Sequence, residues 1–345
     1  MGAIDVDKLL EPISDDAPCG EDLEYDPDFG ALERAAEGKP GHVMGDKEIP
    51  PEPPKWDEVS EAAEALLSRT KDLRVAAHLA HAQLNLEGIQ GFASGLDLLN
   101  GMLHQYWDNV YPLLDEEDDN DPTLRINSLA GLNSRDGIIG SLDRAILVSS
   151  KTLGRFSLRD IRLANGDISP SADSEEETPD PAHIDAAFLD CDLDELIQTA
   201  DAANRCDEAV ADLEGHVREQ VGVEYAPDIA VLSAELKEVR GVLRNQLERR
   251  GVAQEGDAEE NAGVAGNGAG GPAAIPGEIR SRDEAVRVLE RVSDYFKKHE
   301  PSSPVPLLLN RAARLVSKDF MEILRDLTPD GVSQAERIGG VDRDE

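Results

Sequence analysis

The sequence predicts an all-α protein with a helical N-terminal domain at 1–165, a middle helical hairpin at 183–250 and a small C-terminal helical oligomerisation module at 278–345. Aromatic residues make up only 4% of the 345 positions, and Leu, Ala and Glu dominate, a composition that favours helices over sheets. Apolar residues recur at helical spacing in all three regions. Two linkers separate the regions: an acidic, Ser/Pro-rich stretch at 166–182 and a flexible stretch at 251–277, where Gly and Ala fill 15 of 27 positions.

The N-terminal domain is predicted to begin with mostly irregular chain over 1–30, followed by a short helix that ends at Gly38. A loop with five prolines at 39–54 precedes a strong helical pattern, which starts at Trp56 and stops at Pro112. The helices expected in this domain are 29–37, a run over 56–107 punctuated by Gly88 and Gly91, 122–133, 137–149 and 157–164.

The middle hairpin consists of two predicted helices, 183–220 and 227–250, each with an apolar stripe. The C-terminal module starts with a capping box at 281–284 and contains a second apolar-striped helix at 305–327. Two helices alone bury too little apolar surface to be stable in isolation. The surplus apolar positions therefore predict packing against copies of the module or against another protein.

Charge is distributed very unevenly along the chain. The net charge is −38, yet 278–345 carries 14 acidic and 12 basic residues, so nearly all the excess lies in the first 277 residues. Such a charge argues against nucleic acids and anionic membranes as partners, because both would be repelled. Three cysteines without metal or redox spacing predict a reducing compartment. Because no apolar run is long enough to span a bilayer and the start lacks a signal pattern, we expect a cytoplasmic protein without membrane insertion.

Candidate enzyme and cofactor motifs are weak. A G-x-G-x-x-G match at 266–271 lies in the Gly/Ala tract without a preceding strand, and the acidic run at 115–121 lacks the glycine and glutamate of a calcium loop. His78 and His81 are three positions apart, but no third metal ligand stands at a suitable spacing. The sequence therefore predicts no catalytic residue, no cofactor and no metal.

The densest aromatic cluster comprises Tyr106, Trp107 and Tyr111, followed by Pro112. Two interpretations remain open. Packing at the end of a helix is the more common role of such residues, and a groove for a partner protein is the alternative.

Five sequence blocks stand in order along the N-terminal region: PCGEDLEYD at 18–26, WDEV at 56–59, RTKDLRV at 69–75, YWD at 106–108 with YP at 111–112, and RINSL at 125–129. Together they resemble the ImpA N-terminal domain of TssA proteins, components of the bacterial type VI secretion system. The stretch EPSSPVPLLL at 300–309 also resembles short-form TssA proteins, whose C-terminal region looks like part of a phage baseplate component.

The resemblance implies a cytoplasmic, non-enzymatic assembly factor that forms a ring through its C-terminal domain and contacts baseplate and sheath or tube proteins of the contractile tail. We expect the helix at 305–327 to form the ring contact. The residues expected there are Leu307, Leu308, Arg311, Leu315, Phe320 and Leu324. Tyr106, Trp107, Tyr111 and Pro112 are the candidates for partner binding.

Three other functions remain in competition with this one. A cap at the distal end of the sheath is the alternative within the family. A hydrolase or nucleotide-binding regulator with a site between subunits would belong to another class, but the sequence lacks phosphate-loop and nucleophile motifs. A monomeric adaptor that docks through its C-terminal hairpin is the third.

Overall fold

The computed structural model describes residues 4–39, 41–44, 47–170 and 178–252, together with seven helical positions in the C-terminal part, namely Leu289, Ser293, Val305, Leu308, Leu309, Arg311 and Ala312. The chain divides into two compact units, Met1–Glu260 and Asn261–Glu345. The first unit contains the described residues 4–39, 41–44, 47–170 and 178–252.

The first part of this unit contains four helices and one short antiparallel hairpin: α1 Val6–Leu10, α2 Pro27–Glu37, β1 His42–Met44, β2 Lys47–Ile49, α3 Trp56–Leu67 and α4 Leu73–Tyr106. The sequence predicted irregular chain where α1 lies. Asp5 starts this helix, because its side chain accepts a hydrogen bond from the Lys8 amide at 3.1 Å. Asp26 caps α2 in the same way, with Pro27 at the first helical position.

α4 is bent sharply at Gly88, where the backbone adopts φ 66° and ψ −147°. The bend brings the two halves of α4 against each other: a Cβ on Gly95 would lie only 2.5 Å from the Cα of Ala80. Such a close approach requires glycine. The first half packs against α3, as the hydrogen bond from Gln83 Nε2 to Ser60 Oγ at 3.0 Å shows.

The segment after α4 differs most from the prediction. It contains α5 Thr123–Ala130, a π-helical turn Arg135–Ile139, α6 Gly140–Arg144, β3 Ile146–Ser150, β4 Gly154–Ser157 and α7 Leu158–Asn165. The helix predicted at 137–149 is wrong in its second half. Helical structure ends at Arg144, and the aliphatic run from Ile146 pairs with β4 as an antiparallel hairpin that buries Leu147 and Val148. The all-α class is therefore corrected to a mostly helical fold with two short β-hairpins among the described residues.

Three helices complete the unit: α8 Pro181–Asp190, α9 Leu193–Val221 and α10 Ala230–Arg249. The single helix predicted at 183–220 is interrupted at Cys191, which is extended. Asp192 then starts a new helix, because its carboxylate accepts hydrogen bonds from the amides of Asp194 at 2.9 Å and Glu195 at 3.2 Å. The helix predicted at 227–250 begins later, at Ala230.

The second half of α4 packs against α9, and α10 also packs against α9. Asn100 Nδ2 donates to the Ala209 carbonyl at 2.8 Å, and Arg205 forms an ion pair with Asp97. The segments predicted as an N-terminal domain and a middle hairpin thus share one hydrophobic core. Whether the N-terminal domain and the middle hairpin each fold independently within the predicted boundaries stays a prediction.

Candidate functional site

Three of the sequence blocks meet at the start of α4. The Lys71 amide donates to the Cys19 carbonyl at 2.8 Å, the Tyr111 amide to the Lys71 carbonyl at 3.0 Å, and the Leu73 amide to the Tyr111 carbonyl at 2.9 Å. Blocks that lie some ninety positions apart in the sequence are therefore joined through main-chain hydrogen bonds. These bonds fix where the first half of α4 begins.

Lys71 is a buried cation at this junction, with a relative exposure of 1%. Its ammonium donates to the Leu9 carbonyl at 2.6 Å and to the Leu67 carbonyl at 3.3 Å. Burial lowers the pKa of the ammonium below its usual value. Lys71 ties α1 to the end of α3.

Arg125 holds α5 in the same manner. Its guanidinium is fully buried and donates to the carbonyls of Trp107 at 2.7 Å, Val110 at 2.8 Å and Pro112 at 2.9 and 3.1 Å. The guanidinium carbon also lies 4.6 Å from the centre of the Trp107 ring. Burial lowers the pKa of Arg125 to about 10, so the side chain stays charged at neutral pH.

The four aromatic-cluster residues lie around these junctions. Tyr106 donates its hydroxyl to the Leu10 carbonyl at 2.6 Å, and Tyr111 donates its own to the Gly20 carbonyl at 3.3 Å. Trp107 stacks on Arg125, and Pro112 is buried. The three rings are half-buried, and the hydroxyls of both tyrosines are directed into the fold. Their role in partner binding stays a prediction.

A large groove opens beside this junction. It lies between α2, the start of α3, the first half of α4, α5 and the π-helical turn, and its volume is about 1150 Å³. We call it the α2–α5 groove. Side chains from all five elements line it, among them Glu33, Trp56, His78, His81, Leu124 and Asp136.

Two histidines of α4 line the groove and are neutral at neutral pH. His81 Nε2 lies 3.0 Å from Ser141 Oγ, and its ring centre is 4.4 Å from that of Trp56. Burial lowers the pKa of His81 to about 4, with further lowering from His78 and Arg144. Burial also lowers the pKa of His78. Both imidazoles are therefore neutral parts of the wall.

The walls of the groove are partly apolar and carry opposite charges at their edges. Leu124 on α5 is 61% exposed although it faces the groove. Glu33 and Glu37 are exposed on α2, and Arg144 is exposed at the end of α6. Arg34, exposed between these two glutamates, and Arg74 on α4 also line the groove. The groove thus combines an apolar surface with an α2 edge on which carboxylates outnumber arginine by two to one.

The described residues offer little chemistry for catalysis. They contain no group of three His, Cys, Asp or Glu side chains placed to hold a metal ion. Cys19, Cys191 and Cys206 are all buried, and burial raises the pKa of each thiol, that of Cys19 to about 11. Thiols that stay protonated at neutral pH are poor nucleophiles. Within the described residues, no helix is long and apolar enough to cross a membrane.

Of the residues predicted at the ring contact, the structure describes two. Leu308 is helical and 65% exposed, and Arg311 is helical and exposed. Leu307, Leu315, Phe320 and Leu324 lie outside the described residues.

Comparison with known proteins decides the family. Residues 10–134 match the model of the ImpA N-terminal family of type VI secretion systems. The chain is 42% identical to type VI secretion system component TssA1 of Pseudomonas aeruginosa, over 98% of both chains. This chain belongs to the TssA family. The resemblance drawn from the sequence blocks is confirmed, and membership implies a role in type VI secretion assembly.

The fold of the first unit agrees with this assignment. A solved structure of the N-terminal domain of TssA from Burkholderia cenocepacia, which includes the conserved ImpA_N region, superposes with a TM-score of 0.59. It covers 73% of this chain and 97% of that one, at 24% identity. Sequence reasoning did not find the groove in this TssA family member. Trp56 lies in one of the quoted blocks, but Leu124 and Glu33 carry no local signal of a shared surface.

Proposed function

We propose that the protein is a non-enzymatic assembly factor of the type VI secretion contractile tail. It acts in the cytoplasm as a ring-shaped homo-oligomer that contacts baseplate and sheath or tube components. The observation that supports this most is the 42% identity to TssA1 over 98% of both chains, because it extends through the C-terminal part and not only through the ImpA region.

The ring contact is assigned to the helix at 305–327, with Leu308, Leu315, Phe320 and Leu324 as apolar anchors beside Leu307 and Arg311. Two features support this assignment. Leu308 is 65% exposed in the single chain, as an anchor for another copy would be. The module at 278–345 also carries nearly balanced charges, 14 acidic and 12 basic, so that copies approach without strong repulsion.

The experiment is the native mass of the full chain beside that of a chain ending at Gly277, each at low and high salt. We expect a large closed oligomer for the full chain and a monomer or dimer for the shortened one. A full chain that is monomeric at every concentration and salt would contradict the ring. The monomeric adaptor would then be the better description.

A further inference from the structure

We propose that the α2–α5 groove binds an amphipathic helix of a partner protein, with the apolar face of that helix on Trp56 and Leu124 and basic side chains along α2. The inference deepens the proposed function, on which it rests for the nature of the partner as a protein of the secretion apparatus. The occupant is defined by its chemistry: an apolar stripe flanked on one side by Lys or Arg.

The size of the groove favours a helix over a small molecule. Its volume of about 1150 Å³ lies above the usual range for small-molecule pockets, about 300–1000 Å³. A helix about 10 Å across with a rise of about 1.5 Å per residue fills that volume with about ten residues, or two to three turns. Helix-in-groove binding uses apolar anchors at this spacing.

The groove surface suits the apolar face of such a helix. Trp56 and Leu124 come from separate walls, and Leu124 is 61% exposed. His78 and His81 add two neutral imidazoles, because their pKa values are lowered. Arg74 on the same helix is charged, but it is paired with Asp72 and Glu24. Tryptophan is enriched among the anchor residues of protein interfaces, and Leu124 adds exposed apolar surface beside it.

The charges at the edges of the groove determine which charge the bound helix carries and how the helix is oriented. Glu33 and Glu37 are exposed one turn apart on α2, with the exposed Arg34 between them in the sequence, and neither carboxylate has a salt-bridge partner among the described residues. Both carboxylates line the groove. Two carboxylates at this spacing match Lys or Arg side chains one turn apart on a facing helix. Away from α2 the lining carries one charge of each sign, Arg144 and Asp136, so the basic flank of the helix is assigned to the α2 side.

The overall charge agrees with a basic partner segment. A chain with a net charge of −38 attracts a basic helix from a distance and orients it before contact. Nucleic acid carries a strong negative charge and is therefore repelled by the same carboxylates.

The test uses the full chain and three fluorescent probe peptides of about 18 residues each. One carries Leu at helical spacing with Lys along one flank, the second has Glu in place of Lys, and the third scrambles the first at the same net charge. We expect the first to bind at least about tenfold more tightly than either of the others in fluorescence anisotropy. The scrambled peptide controls for general attraction to the acidic chain.

Two variants with matched controls locate the binding site. Leu124→Asp should weaken the Lys peptide at least about tenfold, whereas Leu189→Asp, at a 54% exposed leucine on α8, should leave it within about twofold. Glu33→Lys with Glu37→Lys should weaken it by a similar factor. Asp201→Lys with Glu208→Lys, which makes the same charge change on exposed positions of α9, should not.

Equal binding of the Lys and scrambled peptides, unchanged affinity in Leu124→Asp, or no binding of any peptide would overturn the groove assignment. Both leucines are exposed, so the aspartates should fold, and thermal melts would verify this. The native mass of Leu124→Asp separates the two proposals. A wild-type mass with lost peptide binding supports the groove, and a wild-type mass with unchanged binding overturns the groove while the ring proposal stands.

Discussion

At the scale of single residues, the family blocks act mainly as internal supports. A buried cation is costly unless its donors are satisfied. Arg125 meets this condition with the carbonyls of Trp107, Val110 and Pro112, and Lys71 meets it with those of Leu9 and Leu67. The TssA sequence signature in these blocks is in large part a signature of how α4 and α5 are held together.

Replacement of Arg125 by Met should lower the free energy of unfolding by about 3 kcal/mol or more, because several buried carbonyls lose their donor at once. Arg125→Lys should recover only part of the lost stability, since an ammonium has fewer donors than a guanidinium and cannot reach all three carbonyls at once. Urea denaturation measures both values. Arg135→Met, at an exposed arginine, is the control and should stay within about 0.5 kcal/mol of the wild type.

His81 should make the protein sensitive to acid. Its pKa is about 4 in the folded chain and near 6.5 when unfolded, so the unfolded state binds a proton first as the pH falls. The stability that the neutral imidazole contributes is present above pH 6.5 and is lost between pH 6.5 and 4. His81→Phe keeps an aromatic ring near Trp56 and should reduce the slope by up to about 1.4 kcal/mol per pH unit in that window. Denaturation midpoints that run parallel for the two proteins from pH 7 to 4 would contradict this.

At the scale of elements, the fold-back of α4 explains why glycines persist inside a helix. Gly95 has no room for a side chain, because Ala80 lies against it, whereas a Cβ on Gly215 in α9 would meet nothing within 4 Å.

The two glycines therefore predict opposite effects of the same change. Gly95→Ala should destabilise the protein by about 1–3 kcal/mol through overpacking. Gly215→Ala should stabilise it by about 0.5–1 kcal/mol through helix propensity. Thermal unfolding of both variants provides the comparison. The same sign for both would show that the halves of α4 are not packed as closely as described.

Helical periodicity predicted most of α3, α4, α9 and α10, because long amphipathic patterns specify helices with little help from the rest of the chain. It failed where local chemistry competes with periodicity: at Ile146, whose aliphatic run pairs as a strand, and at Asp192, whose side chain starts a new helix. The groove could not be predicted. Its walls come from five elements, and no sequence pattern reports which of them meet.

At the scale of the whole molecule, two properties are combined in one chain: a strongly acidic first unit and a nearly neutral terminal module. Self-repulsion between acidic units opposes assembly and is screened by salt.

Leu308→Asp and Phe320→Asp each place an unpaired charge in the proposed ring contact, at a cost of several kcal/mol, about 3–5. We expect smaller particles by native mass spectrometry and light scattering, with the loss most marked at low salt. Val223→Asp changes a 77% exposed residue of the first unit and should leave the mass unchanged. Wild-type particle size in both ring variants would refute the assignment of the contact to this helix.

The Arg125 network has a consequence for how long a partner stays bound. One wall of the groove is held by four hydrogen bonds before any helix arrives, so little conformational entropy is lost when it does. A preformed surface gives encounter rates set by charge and diffusion, and affinity differences then reside in dissociation. Substitutions in the groove that leave its charge unchanged should accordingly shorten the lifetime of the complex and leave the rate of its formation nearly constant, whereas the charge changes at Glu33 and Glu37 should also slow its formation.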